Sequence, residues 1–260
     1  MQLKFSALDI ESWASLSGDR NPIHFSREAA LRMDVDDVVV HGMLVLLPIK
    51  HRMGRISVAL PHTWTQFKAL LKTPVLRDTT VALSTSDRHG CAHFKLLPEI
   101  GGSEHMIGSM RTVPASTWSP TASRFELQAD KVELWLEQFH QGLGRGLDDW
   151  IALDALIFSD FICNYIDVVF DYLTPELLLV QRLSKLEDLS THLVVQTSHQ
   201  TTFCSSLRSF GELGTNIRYE IDNVNMIESP DKAIGTLDLG VYIRNCHVMT
   251  ITIGLMVKKI

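Results

Sequence analysis

Two long apolar runs, residues 38–49 and 150–166, are each followed by a train of strand-like segments with no helix pattern between them. That order constrains the fold more than any other feature of the chain. Strands that follow one another without crossover helices pair antiparallel. After the first run, the strand-like segments are 64–72, 80–87, 92–97 and 106–113. After the second they are 177–183, 191–202, 217–226, 235–244 and 248–258. The last of these alternates and is rich in β-branched residues, as a half-buried strand requires. The second apolar run is too long and too uniformly apolar for a strand and suits a buried helix. One helix followed by four or five strands, stated twice, predicts two related α+β units, each wrapping an antiparallel sheet around its helix.

The seam between them is the Pro/Ser/Thr-rich stretch 114–123, Pro-Ala-Ser-Thr-Trp-Ser-Pro-Thr-Ala-Ser. Such a cluster between patterned regions reads as a connection. The expected division is a first unit at 1–114, a linker at 115–123 and a second unit at 124–260.

The 260 residues carry a formal charge of -6, which gives no electrostatic reason to bind nucleic acid. The apolar stretches are too short for a membrane span, and the opening Met-Gln-Leu-Lys-Phe lacks a signal-peptide core. A cytoplasmic protein is the expectation. Cys91, Cys163, Cys204 and Cys246 are widely spaced, with no C-x-x-C pair, and read as small hydrophobes rather than a disulfide or zinc framework.

Chemistry concentrates in residues 13–30. Within it, Gly18-Asp19-Arg20-Asn21-Pro22-Ile23-His24 packs turn formers around a carboxylate and an imidazole. Pro22 fixes its own φ and restrains Asn21 toward extended backbone. A stiff loop can hold Asp19 and His24, two proton-transfer groups, in a set relation. Asn21 offers a donor and an acceptor to orient the pair or a water.

This segment resembles the signature of the MaoC-like, (R)-specific enoyl-CoA hydratase family. Leu16, Ser17, Gly18, Asp19, Asn21, Pro22, Ile23, His24 and Ala30 fit it; Trp13 stands where Tyr or Phe is usual. Val40-His41-Gly42-Met43-Leu44 resembles the family's His-Gly-Met segment at the start of its central helix. Phe67-Lys68 and the stretch 72–79, Lys-Thr-Pro-Val-Leu-Arg-Asp-Thr, resemble a later strand motif. The resemblance implies a double hot-dog fold. It also implies hydration of a trans-2-enoyl thioester to an (R)-3-hydroxyacyl thioester, or the reverse.

Asp19 and His24 would then be the proton-transfer pair, Asn21 their orienting partner, and the backbone N–H of Gly42 the donor to the thioester oxygen. Ser17, Gly18, His41, Met43 and Lys72 are the expected substrate contacts, with His41 also placed to touch the loop or cap the helix. No cofactor and no metal are expected, since coenzyme A or phosphopantetheine arrives as part of the substrate. The partner is an acyl-CoA or an acyl carrier protein thioester, with no nucleic acid and no membrane, and a homodimer is allowed. Lys68, Lys72, Arg77, Arg52 and Arg55 could meet carrier phosphates, although solvated charges are the plainer reading. Pro48-Ile49-Lys50 departs from the family pattern. There Lys50 is expected as a solvated residue at a helix end.

The second half has no Asp-x-Asn-Pro-x-His string. It is expected to be a non-catalytic unit that completes the fold and the acyl tunnel. Asp154, Ser159 and Asp160 on its buried run must find partners. The segment 139–142, Phe-His-Gln-Gly, reads as a loop. Two other functions remain open: a thioesterase using Asp154 or Asp160 on the helix, and a non-catalytic acyl-binding protein.

Overall fold

A computed structural model describes residues 1–32, 34–57, 63–115, 118, 124–173, 192–208 and 214–259. The expected strand at 177–183 and most of the linker lie outside these.

The first unit runs β1 (Gln2–Lys4), α1 (Ala7–Ser17), α2 (Arg27–Leu31), α3 (Gly42–Ile56), β2 (Trp64–Leu71), β3 (Thr80–Arg88), β4 (Cys91–Pro98) and β5 (Met106–Val113). The second runs β6 (Arg124–Glu126), α4 (Ala129–Gln141), α5 (Asp149–Asn164), β7 (His192–Cys204), β8 (Ile217–Ser229), β9 (Lys232–Ile243) and β10 (Cys246–Lys259). The ten strands among the described residues form one antiparallel sheet in the order β1-β3-β4-β5-β2-β7-β10-β9-β8-β6. Read from either edge to the centre, the order is the same: β6-β8-β9-β10-β7 repeats β1-β3-β4-β5-β2. The chain is therefore a double hot-dog, with α3 and α5 as the two central helices. The units join at their middle strands, where β2 pairs β7 from Trp64↔Cys204 to Leu70↔Ser198.

The helices follow from their residues. Ser6 and Asp9 form a capping box at the start of α1, and Gly18 ends it at φ 72°, donating its N–H to Ala14 O. Ile10, Trp13, Ala14 and Ser17, at three- and four-residue spacing, face the core. In α5 nearly every residue from Asp149 to Ile162 is buried, which explains why its run is apolar all round. α3 continues through Pro48, and its buried residues include Lys50.

Three expectations change. Each unit carries a further long helix, α1 or α4, and both pack against α5. Residues 139–141 form the last turn of α4 rather than a loop, because Phe139 is buried at helical spacing from Val132. Lys50 is neither solvated nor at a helix end: it is fully buried against Asp154. No helix among the described residues is long and apolar enough to cross a membrane.

Candidate active site

The 13–30 segment resolves into the end of α1, a short loop, a 3-10 turn at Pro22–His24, and α2. Gly18 sits in the left-handed region at the α1 C-terminus, where an added Cβ would strike the Cys163 Sγ of α5. Past it the backbone is pinned by its own side chains. Ser17 Oγ accepts from the Asp19 N–H at 3.2 Å, and an Asp19 carboxylate oxygen accepts from the Asn21 N–H at 3.3 Å.

Asn21 is committed at both ends. Its Oδ1 accepts from the Ile23 N–H at 3.4 Å, capping the turn, and its Nδ2 donates to Val194 O of β7 at 2.8 Å. The loop of the first unit is thus tied to the second.

His24 is buried, and its Nδ1 lies 2.7 Å from Val39 O. A carbonyl only accepts, so Nδ1 carries the proton and the lone pair is left on Nε2. Burial pushes the His24 pKa below the usual imidazole range, although the Asp19 charge and the Val39 bond pull the other way. The ring is therefore neutral near pH 7.

His41 stacks on it, with centroids 3.6 Å apart and planes 26° from parallel. Its Nε2 donates to Asp19 O at 2.9 Å. Burial first, then the neighbouring His24, takes the His41 pKa down to about 3. The pair is a neutral imidazole stack supporting the Asp19 backbone.

Asp19, His24 and His41 each bring a ligand-type atom within 4.8 Å of the others. Their geometry disfavours a shared cation. Imidazole lone pairs lie in the ring plane, and two stacked, nearly parallel rings direct them side by side rather than to one point.

Asp19, Asn21, His24, Gly42, Met43 and Lys72 line one cavity of about 230 Å³. Its far wall comes from the second unit: Phe158 and Ile162 of α5, Val194 and Gln196 of β7, and Leu255 and Met256 of β10. The volume lies below the ~300–1,000 Å³ of a site that swallows a whole drug-sized ligand. A drug-sized molecule would fit only in part. Gly42 opens α3, so its N–H is free of intrahelical bonding and stands at the positive end of the helix dipole.

Not every expected contact faces this space. Ser17, Gly18 and His41 stand outside the cavity lining. Ser17 and Gly18 shape the loop, and His41 backs it. Lys72 pairs with Glu104 at 2.7 Å at the cavity's mouth. On α5, Ser159 Oγ donates to Ala155 O, and Asp160 accepts from the Tyr219 hydroxyl at 2.8 Å. Asp154 is held by Lys50 and His199. Asp154 and Asp160 are both engaged and neither lines the cavity, so nothing favours a thioesterase built on them. Gln196 escaped sequence reading. No motif surrounds it, and its relation to the cavity depends on the pairing of β7.

Residues 2–86 match the family model of the MaoC like domain. Over 41 residues the chain is 46% identical to the mitochondrial 3-hydroxyacyl-[acyl-carrier-protein] dehydratase of Arabidopsis thaliana. That stretch is 16% of this chain and 25% of the plant protein, so the match spans a quarter of that relative's length. A solved MaoC-like dehydratase superposes over 97% of this chain and 94% of its own, at 10% identity and a TM-score of 0.50, a likeness of fold alone. A hot-dog protein from Alicyclobacillus acidocaldarius aligns over 92% of this chain and 90% of its own, at 10% identity and a TM-score of 0.46.

Proposed function

We propose, on the premise that residues 2–86 are a MaoC like domain within a double hot-dog chain, that the protein adds water to trans-2-enoyl thioesters, giving (R)-3-hydroxyacyl thioesters, or runs the reverse dehydration. The observation that carries this reading is the state of His24. Its proton is held on Nδ1 by Val39 O, so a neutral imidazole offers an Nε2 lone pair beside Asp19 in a small, largely apolar cavity. That is a general base at physiological pH.

In hydration, the water oxygen bonds to C3 while its proton passes to His24 Nε2. Asp19 accepts the water's other hydrogen and aligns it. The electron pair displaced from the double bond moves through C2 to the thioester oxygen, where the Gly42 N–H and the α3 dipole stabilise the charge. The proton on His24 then returns to C2. Asn21 acts as a positioning residue, through its bridge from the loop to Val194 O.

The acyl group, the thioester and the adjoining end of the pantetheine occupy the cavity, and the rest of the carrier, coenzyme A or an acyl carrier protein, remains outside. Turnover is tested with crotonyl-CoA and longer enoyl-CoAs. Loss of the enone absorbance supports hydration, and free thiol supports cleavage instead. Asp19→Asn and His24→Ala should each lower kcat by about 10²-fold or more. Full activity in both variants would refute the assignment.

A further inference from the structure

Beside the cavity lies a chain of buried polar groups that the proposed chemistry does not use. Lys50, on α3, contacts Asp154, on α5, and His199 Nε2 lies 2.9 and 3.0 Å from the two Asp154 oxygens. All three side chains are 0% exposed. Burying such a set is a poor way to gain stability, because desolvation consumes what the charges return. The chain continues from His199 Nδ1, which is 3.0 Å from Gln196 Nε2. Gln196 lines the cavity.

In a regular strand, residues 196 and 199 would face opposite sides of the sheet. They share a side because the β7–β10 register slips: Gly254 pairs with Ser198, but Leu255 pairs with Gln196. Thr197 is the extra residue of a bulge, and it turns Gln196 inward.

The chemistry of the chain fixes how the Gln196 amide is turned. The Asp154 carboxylate accepts only, so His199 donates from Nε2 and keeps its lone pair on Nδ1. That lone pair takes the Gln196 Nε2–H. Oε1 is therefore directed away from His199, and it lies 2.8 Å from where a Cβ on Gly42 would stand. An acceptor held at that place suits a hydrogen-bond donor and repels an oxyanion.

We propose that Gln196 is a substrate-binding residue of the second unit, whose amide oxygen accepts the N–H of the pantetheine amide nearest the sulfur. This rests on the reading of the cavity as an acyl-thioester site. With the thioester oxygen at the Gly42 N–H, and the reacting water at Asp19 and His24, the donor still needing a partner beside Gly42 is that amide, two methylenes beyond the sulfur. Lys50, Asp154 and His199 act as positioning residues that keep the Gln196 acceptor facing inward.

The test compares the crotonyl thioester of N-acetylcysteamine with an analogue in which an ester oxygen replaces the amide N–H. The wild-type protein should prefer the amide by about tenfold in kcat/KM, from the one hydrogen bond. In Gln196→Ala that ratio should fall to near one. His199→Phe should give the same collapse, and the double variant should show no further change in the ratio. A ratio that survives in Gln196→Ala overturns the proposal, whether both substrates slow equally or neither does. If the wild-type protein hydrates neither compound, the hydratase reading fails separately. Binding of the two saturated butyryl analogues, followed by NMR titration, then decides. Loss of amide preference in Gln196→Ala supports the contact, and equal binding of the pair by wild type and variant overturns it.

Discussion

Lys50→Met is the most informative perturbation of the buried chain. It removes one charge from a set of fully buried groups and leaves Asp154 facing His199 alone. Breaking one partner from a buried pair costs about 3–5 kcal/mol. For a protein of this size that is a fall in Tm on the order of 10 °C.

The structure adds a pH signature. In the intact protein, burial and the Lys50 charge hold the His199 pKa below its usual range, against the pull of Asp154. Against burial, His199 and Lys50 hold the Asp154 carboxyl down to about 2. Without Lys50, a proton on His199 restores neutrality beside Asp154, and the His199 pKa should rise above the unfolded value of about 6.5. A histidine whose folded pKa is raised contributes stability that is present below the unfolded pKa and lost as pH rises through the folded one. The deficit of Lys50→Met should therefore be largest near pH 8 and smaller near pH 5.5. Each unit of rise in the His199 pKa returns about 1.4 kcal/mol. Urea denaturation of both proteins at the two pH values measures it. A deficit under ~1 kcal/mol, or one equal at both pH values, refutes the reasoning. A companion variant, Lys50→Met with Asp154→Leu, removes the stranded charge and should recover most of the loss.

Two further outcomes follow from the site. His41, taken by burial to about 3, and His24, shifted the same way, are harder to protonate folded than unfolded. Stability should be fully present above about pH 6.5 and decline as pH falls toward 3; a Tm that is flat between pH 6.5 and 4 contradicts this. Gly42→Ala pushes a methyl toward Gln196 Oε1 and Leu71 Cδ2, both 2.8 Å from the new atom. Both are ends of movable side chains, so the fold should lose only ~1 kcal/mol in urea denaturation, while kcat for crotonyl-CoA falls at least tenfold.

How much of this was legible beforehand depends on how local each signal is. Strands β2 to β5 and β7 to β10 declare themselves through β-branched runs, alternation and turn residues, which neighbouring positions supply. The Asp19/His24 loop is legible for the same reason: Gly18, Asn21 and Pro22 dictate its backbone within a few residues. The helices α1 and α4 were hidden because their apolar faces are narrow and sit among polar residues. The burial of Lys50 has no local signal, because it depends on Asp154, a carboxylate distant in sequence.

Two helix-and-strand units, and a stiff loop carrying Asp19 and His24 in the first, follow from propensity, periodicity and turn chemistry. Tertiary packing assigned the cavity's far wall, expected of the second unit, to particular residues of α5, β7 and β10. It alone buried Lys50 with Asp154 and His199, and turned Gln196 toward Gly42. The physical reason is the bulge at Thr197 together with the β2–β7 pairing. A one-residue slip in register reverses which side chains face inward, and that slip is set by the partner strand, not by the residues of β7 alone.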